Sequence, residues 1–455
     1  MELRYKVIGY ADDSKPAITS MEEFTKVDES LTLFENASGC RVHRDPANMK
    51  CKFLPLRQCD IPCNYMTLSD HLDMVGVTLM ATWTKTRKAN GDILQKKIEH
   101  TIRPWKGGKF MPVIQRGWSV NSFALSKIWF KTKCVDLRVC DIKSITSNCK
   151  SWLYQDMFAK PEEMILHRPH QYGGLGMHSV KYKALAGFIT TFLQTAENPS
   201  YIPNLLHSQL YRKYVLHEDV PGAPAVNPPY LTDELFSIIR RVKESSSVNI
   251  ISMKEKDWTR MLTETFVTMI PATAEDSQFL PCRAELASPL TDWELAWATC
   301  RQSGVSHELA SFLWLMMHRL LSTQARLHRM GAVRSAQCKM QGCNEDGTMQ
   351  HELLLCEKND GVGLLLVNCL QQQVPNIHHG NILRLEFGEI GKGLSPAMTW
   401  LTAITLRFIW KEREAGANIR KYKFRAELEQ YISLLRTTRF SEAKDLLQNF
   451  KTSMF

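Results

Sequence analysis

The chain has 455 residues, a net charge of +10 and a sequence pI near 8.9. With 44% hydrophobic and 23% charged residues it reads as a globular protein of two or three domains, not a disordered or fibrous chain. There is no run of about 20 uncharged apolar residues, which excludes an expected membrane span.

The N-terminal Met-Glu-Leu-Arg-Tyr-Lys lacks the apolar core of a signal peptide. The 13 cysteines are irregularly spaced and read as reduced thiols, so an intracellular location, nucleus or cytoplasm, is expected. Tyr5 to Tyr10 is a β-prone run that leads into Asp12 and Asp13 and then Ser14-Lys15-Pro16, so a short strand should turn at the two carboxylates. Paired acids at a strand tip suit a hard cation such as Mg²⁺, which prefers oxygen ligands. An ordinary polar hairpin is the competing reading, because Asp is a common turn residue. Ser20-Met21-Glu22-Glu23 has the form of a capping box. Phe24, Val27, Leu31 and Phe34 then share one helical face, up to a stop at Ser38-Gly39. Strands are expected over 50–56 and 74–80. Residues 1–84 thus form part of an α+β layer.

From 85 to 200 the pattern becomes helical and basic, with helices expected over 92–105, 112–131 and 142–158. Between Lys85 and Lys133 lie Arg87, Lys88, Lys96, Lys97, Arg103, Lys106, Lys109, Arg116, Lys127 and Lys131, opposed within the window only by Asp92 and Glu99. So one-sided a window suggests a polyanionic partner, nucleic acid first among candidates; a solvated helical face is the alternative. Trp105, Trp118 and Trp129 are interleaved with these charges and could stack on bases, although large aromatics more often anchor a core. Gly173-Gly174-Leu175-Gly176 implies a tight turn or a close backbone approach before a helix over 180–196. Residues 201–230, rich in proline and small side chains, read as a linker. Helices over 232–244, 254–269, 292–300 and 307–330 make a connector spanning 231–335, and helices over 396–414 and 419–437 make a C-terminal tail spanning 361–455.

Between connector and tail, residues 336–360 carry the most specific chemical signal, Cys338-x4-Cys343-x7-His351-x4-Cys356. Three thiols and one imidazole within nineteen residues suffice for a closed tetrahedral Zn²⁺ site, and Gly342, Asn344 and Gly347 supply turns between them. Coincidental clustering in a cysteine-rich chain is the other reading. With all four ligands used and no spare acid, such a site is structural rather than catalytic.

Several of these signals, in this order, resemble the reverse transcriptases of non-LTR (LINE-type) retrotransposons. Tyr10-Ala11-Asp12-Asp13 is similar to their Tyr/Phe-x-Asp-Asp motif, and Ala37-Ser38-Gly39, Asn48 and Lys50 to the segment that follows it. His71-Leu72-Asp73-Met74-Val75-Gly76-Val77 resembles the primer-grip neighbourhood, with Met74-Val75-Gly76 departing from the usual Leu-Gly. Pro169 with Gly173 to Gly176 is similar to a signature beyond the thumb. Phe312-Leu313-Trp314, Leu320 to Thr323, Arg326-Leu327 and the Cys-Cys-His-Cys cluster resemble the C-terminal zinc-binding module. The resemblance implies a partial palm over 1–84, a predominantly α-helical thumb and connector, and a small zinc-knuckle-like module. It implies Asp12 and Asp13 as ligands of catalytic Mg²⁺, and an RNA template with a DNA primer or target lying across the thumb. The family also has fingers and a third palm aspartate upstream, whereas only eleven residues precede Asp12 here and none is Asp. The chain is therefore expected to be the C-terminal portion of an RNA-directed DNA polymerase, inactive without a separate palm-and-fingers segment. The alternative is a non-catalytic nucleic-acid-binding or host-adopted interaction protein derived from such an element.

Overall fold

A computed structural model describes residues 7–10, 13–16, 20–38, 52–54, 67–74, 76–106, 111–155, 161, 163–197, 202–223, 231–245, 249–266, 293–300, 305–385, 387, 394–435 and 441–452. Helix predominates, and the described strands form three two-stranded pairings. Val7–Tyr10 pairs antiparallel with Asp13–Pro16, Tyr10 opposite Asp13, so the chain reverses where the aspartate pair predicts. Asp12 itself lies outside the described residues, and Asp13 is described through its backbone alone. Within the strand expected over 50–56, Lys52–Phe53 is strand and pairs in parallel with Thr67–Leu68, while positions 50, 51, 55 and 56 lie outside the described residues. Instead of one strand over 74–80 there is a hairpin of His71–Met74 and Val77–Met80. Gly76, at φ +78°, takes the left-handed conformation that this reversal needs.

Helix Met21–Ser38 begins as expected, with Ser20 Oγ accepting from the Glu23 amide at 3.2 Å. Phe24 is buried, Val27 and Leu31 are half-buried and Phe34 is exposed. The predicted apolar face is thus covered mainly at its first turn.

The chain divides into two compact units, each assembled from separated segments: Met1–Pro104, Phe123–Cys149 and Ser179–Thr263 in the first, and Trp105–Ser122, Lys150–His178 and Glu264–Phe455 in the second. In the first unit, helix Trp83–Ile102 starts nine residues before the expected 92, capped by Thr82, whose Oγ1 accepts from the Lys85 amide. Asn90 and Gly91 both have tertiary reasons to sit inside this helix. The Asn90 side chain accepts from the Thr78 amide at 3.0 Å and donates to the Thr78 carbonyl at 2.6 Å. A Cβ at position 91 would overlap the Asp141 carboxylate. Packing overrides local propensity here.

One core of this unit lies under helices Val180–Glu197, Ile202–Tyr214, Asp233–Ser245 and Glu255–Phe266, where Phe192, Leu210, Phe236 and Trp258 are buried together. The linker expected over 201–230 is corrected by this arrangement, because its first half is the helix Ile202–Tyr214 with Leu210 and Tyr211 in the core. Pro203 occupies the first turn, where a missing N–H costs nothing, so it marks a start rather than a break.

In the second unit, helix Leu394–Glu414 is buried all round between Ala397 and Leu406, as befits a central helix. The expected 307–330 helix is two helices, His307–Met317 and Gln324–Arg329. Between them Arg319 takes φ +54°, a conformation no right-handed helix contains. No described helix is long and apolar enough to cross a membrane, and the described cysteines are unbridged.

Candidate metal centre and basic surface

The Cys/His motif folds into one cluster. A short ribbon carries the first two ligands: Gln337 bridges Asp346, the Cys338 amide donates to the Glu345 carbonyl at 2.8 Å, and Gly342, at φ +74°, turns the chain into Cys343. The π-helical turn His351–Leu355 carries His351, and Cys356 follows directly at its C-terminal end. Thr348 Oγ1 accepts from the His351 amide at 3.1 Å, and the Cys356 amide returns to the His351 carbonyl at 2.8 Å. The i+5 closure therefore brings together two residues that the His-x4-Cys spacing separates.

The ligand atoms of Cys338, Cys343, His351 and Cys356 all lie within 4.8 Å of one another. Cys338 Sγ is 3.9 Å from Cys356 Sγ, and Cys343 Sγ is 3.3 Å from His351 Nε2. Tetrahedral Zn²⁺ with bonds of about 2.3 Å to sulfur and about 2.0 Å to nitrogen requires ligand separations of roughly 3.5 to 3.8 Å. The two separations lie close to either side of that range and the donor types suit a metal such as zinc, for which four protein ligands would leave no open position for chemistry on a substrate.

A second layer of side chains, not singled out by the motif, encloses the cluster. Arg413 is fully buried, and its Nη2 donates to Cys338 Sγ at 2.9 Å. The hydrogen bond with Cys356, helped by Arg413, holds the Cys338 thiol well below its ordinary range; the same bond, with burial, pushes Cys356 up. Glu352, also buried, accepts from the Gln324 amide at 3.0 Å. Burial raises its carboxyl above the usual range against the pull of that amide and of Arg413. A Cβ on Gly347 would stand 2.5 Å from Glu352 Oε1 and 2.6 Å from Gln324 Cβ, so this glycine is required for close approach rather than for its φ. Arg413 was invisible to motif reasoning because it lies 57 residues past Cys356 in sequence.

The basic window resolves into two populations. Lys88, Lys96, Lys97, Arg103, Lys106 and Lys127 are exposed, while Lys109 lies outside the described residues. Lys127 Nζ reaches Thr101 Oγ1 at 2.8 Å, and Lys131 Nζ approaches Asn90 Oδ1 at 3.5 Å. Asn90, Lys97 and Thr101 recur at helical spacing, so Lys97, Lys127 and Lys131 converge along one side of helix Trp83–Ile102. Burial lowers the Lys131 ammonium below its ordinary value, and the charge of Lys97 lowers it further.

The other candidates are engaged elsewhere. Arg87 pairs with Asp136 at 2.8 Å and Lys133 with Glu255 at 2.6 Å. These counter-charges lie outside the counted window, which is why the window looked uncompensated. Arg116 is buried, donating from Nε to the Met111 carbonyl at 2.7 Å and from Nη1 to the Leu153 carbonyl at 3.2 Å. It belongs to the interior, not to the surface that its position in the window suggested. Among the tryptophans, Trp105 packs on Trp152 with ring centroids 4.9 Å apart. Trp129 lies 5.0 Å beneath Lys183 Nζ, and Trp118 remains 44% exposed.

The Gly-Gly-Leu-Gly stretch is a packing device. Gly173 and Gly176 take φ +77° and +61°. A Cβ on Gly174 would overlap the Arg168 carbonyl, and one on Gly173 would stand 2.5 Å from the Trp297 ring. The Gly173 carbonyl accepts from Trp314 Nε1 at 2.8 Å. No protein-family model matches this chain, and no curated protein matches it.

Proposed function

We propose that the chain is a nucleic-acid-binding portion of a reverse transcriptase of the non-LTR type, with a basic helical surface for a template-primer and a structural zinc module. The observation that carries this reading is the convergence of Lys97, Lys127 and Lys131, from two separate segments, on one side of helix Trp83–Ile102. Three ammonium groups gathered along one side of a helix can track a phosphate backbone and release its counterions. The motif order supports the family assignment, and the four-ligand cluster fits the zinc module that the resemblance calls for. In this reading the Asp12-Asp13 turn is where Mg²⁺ would bind.

The test is binding of an RNA–DNA primer-template by the full chain across roughly 50 to 200 mM salt. Lys97, Lys127 and Lys131 replaced together by Gln should flatten the slope of log affinity against log salt by about 2 to 3. An unchanged slope removes this surface from the proposal. Primer extension on the same template with Mg²⁺ should show no incorporation by this chain alone. Synthesis that Asp12→Ala abolishes would refute that expected inactivity and assign chemistry to the chain.

A further inference from the structure

One side chain ties the central helix of the second unit to the metal centre. Arg413, in the last turn of Leu394–Glu414, is fully buried. It donates to Cys338 Sγ at 2.9 Å and to Asn359 Oδ1 at 3.0 Å, and its Nε stands 3.7 Å from Glu352 Oε2. Asn359 is itself fixed: its Nδ2 donates to the Glu352 carbonyl at 2.9 Å and its amide to the Cys356 carbonyl at 3.0 Å. The residue that steers the guanidinium is therefore anchored to the turn carrying the fourth ligand.

Packing alone gives no reason for a cation here, since an apolar side chain of similar volume fills such a core without the cost of burying a charge. The buried Glu352 carboxyl, 3.7 Å from Nε, supplies one reason, and the metal centre supplies a second. Three thiolates, a neutral imidazole and Zn²⁺ leave one net negative charge in a buried site. A guanidinium hydrogen-bonded to one of the sulfurs offsets that charge and fixes the direction of the sulfur lone pairs.

We propose that Arg413 is a positioning residue of the zinc centre, which orients Cys338 and offsets the charge of the metal–thiolate group. Zinc binding and seating of the Leu394–Glu414 helix are thereby coupled. This rests on the zinc reading of the four-ligand cluster.

Co²⁺ titration of the full chain, followed by competition with Zn²⁺, tests both claims separately. The wild-type chain should take up one equivalent with the absorption of tetrahedral thiolate-bound cobalt. If it does not, the zinc reading and this inference fall together. Arg413→Met should weaken metal binding by about 10- to 100-fold and move the thiolate-to-cobalt band to lower energy, because the sulfur has lost a donor. Leu447→Ala, which opens the core of the same unit without touching the centre, should leave that band in place. Should Arg413→Met fail to fold, Asn359→Ala keeps the guanidinium but frees it, and should give the same band shift with a smaller loss of affinity. Wild-type affinity and an unshifted band in the folded variant overturn the role of Arg413 while leaving the zinc site intact.

Discussion

His318 Nε2 donates to the carbonyl oxygen of Gly173 at 2.6 Å, half-buried between the rings of Trp297 and Trp314, whose centroids each lie 4.5 Å from that of the imidazole. Burial first, and the charge of Arg168 second, push this imidazole down to about 4 from an ordinary 6.5. Between these values the unfolded chain binds the proton and the folded chain does not, so stability rises with pH across that window. The contribution is complete above about pH 6.5 and is lost as pH falls through about 4, on the order of 3 kcal/mol in all. Urea unfolding at about pH 7 and about pH 4.5 should show a larger loss for the wild type than for His318→Gln, which keeps a donor without the titration. Equal losses would contradict this.

Glycines 174 and 222 should respond differently to alanine. Gly174 has the Arg168 carbonyl where a Cβ would go, so Gly174→Ala should cost about 3 kcal/mol through overpacking. Gly222, at φ +77°, faces open space, so Gly222→Ala should cost only the left-handed backbone penalty of about 1 kcal/mol. Thermal unfolding of the two variants side by side tests the ranking, and a reversed order would reject the packing account of the turn.

Zinc removal should loosen the region around the cluster. The purified chain is expected to contain one zinc, and His351→Ala or Cys343→Ser should bring this below half an equivalent by elemental analysis. Chelation should increase amide exchange at Cys338 and Cys356, whose N–H groups are held at 2.8 Å by carbonyls inside the module. Unchanged exchange after complete metal loss would mean that the module does not depend on the ion.

Arg116 and Lys97 should separate stability from binding. Removing the buried Arg116 leaves the Met111 and Leu153 carbonyls without their donor, so Arg116→Met should destabilise by about 1 to 3 kcal/mol. Its folded population should bind a primer-template with the wild-type salt slope. Lys97→Gln, at an exposed position, should do the reverse, shifting the slope by about 1 with stability unchanged within about 0.5 kcal/mol.

Several helices and the gathering of the Cys/His cluster were legible because both signals are local: apolar residues recur at helical spacing, and Cys-x4-Cys and His-x4-Cys close short loops, whereas the helix expected over 112–131 breaks into Val113–Ser119, a π-turn at Val120–Ala124 and Trp129–Cys134. The rest depends on distant residues. Helix Trp83–Ile102 begins well before 92 because Thr78 and Asp141 lie beside Asn90 and Gly91. Pro203 looks like a linker residue until the core beneath Leu210 is seen. Arg116 counts as surface charge until the Leu153 carbonyl is found to hold it, and Arg413 has no neighbour in sequence that hints at Cys338. The Gly-Gly-Leu-Gly turn was legible as a close approach, but the partners that crowd it, Arg168 and Trp297, were not.

The first unit interleaves its segments along the chain: helix Trp83–Ile102 belongs to it, and so does Trp258, whose side chain completes a core begun by Phe192. During synthesis, at roughly 5 to 20 residues per second, Phe192 therefore leaves the ribosome on the order of several seconds before the last wall of its own core exists. For that interval Phe192 and Leu210 wait without Trp258 beside them, a natural point of attachment for chaperones on the nascent chain.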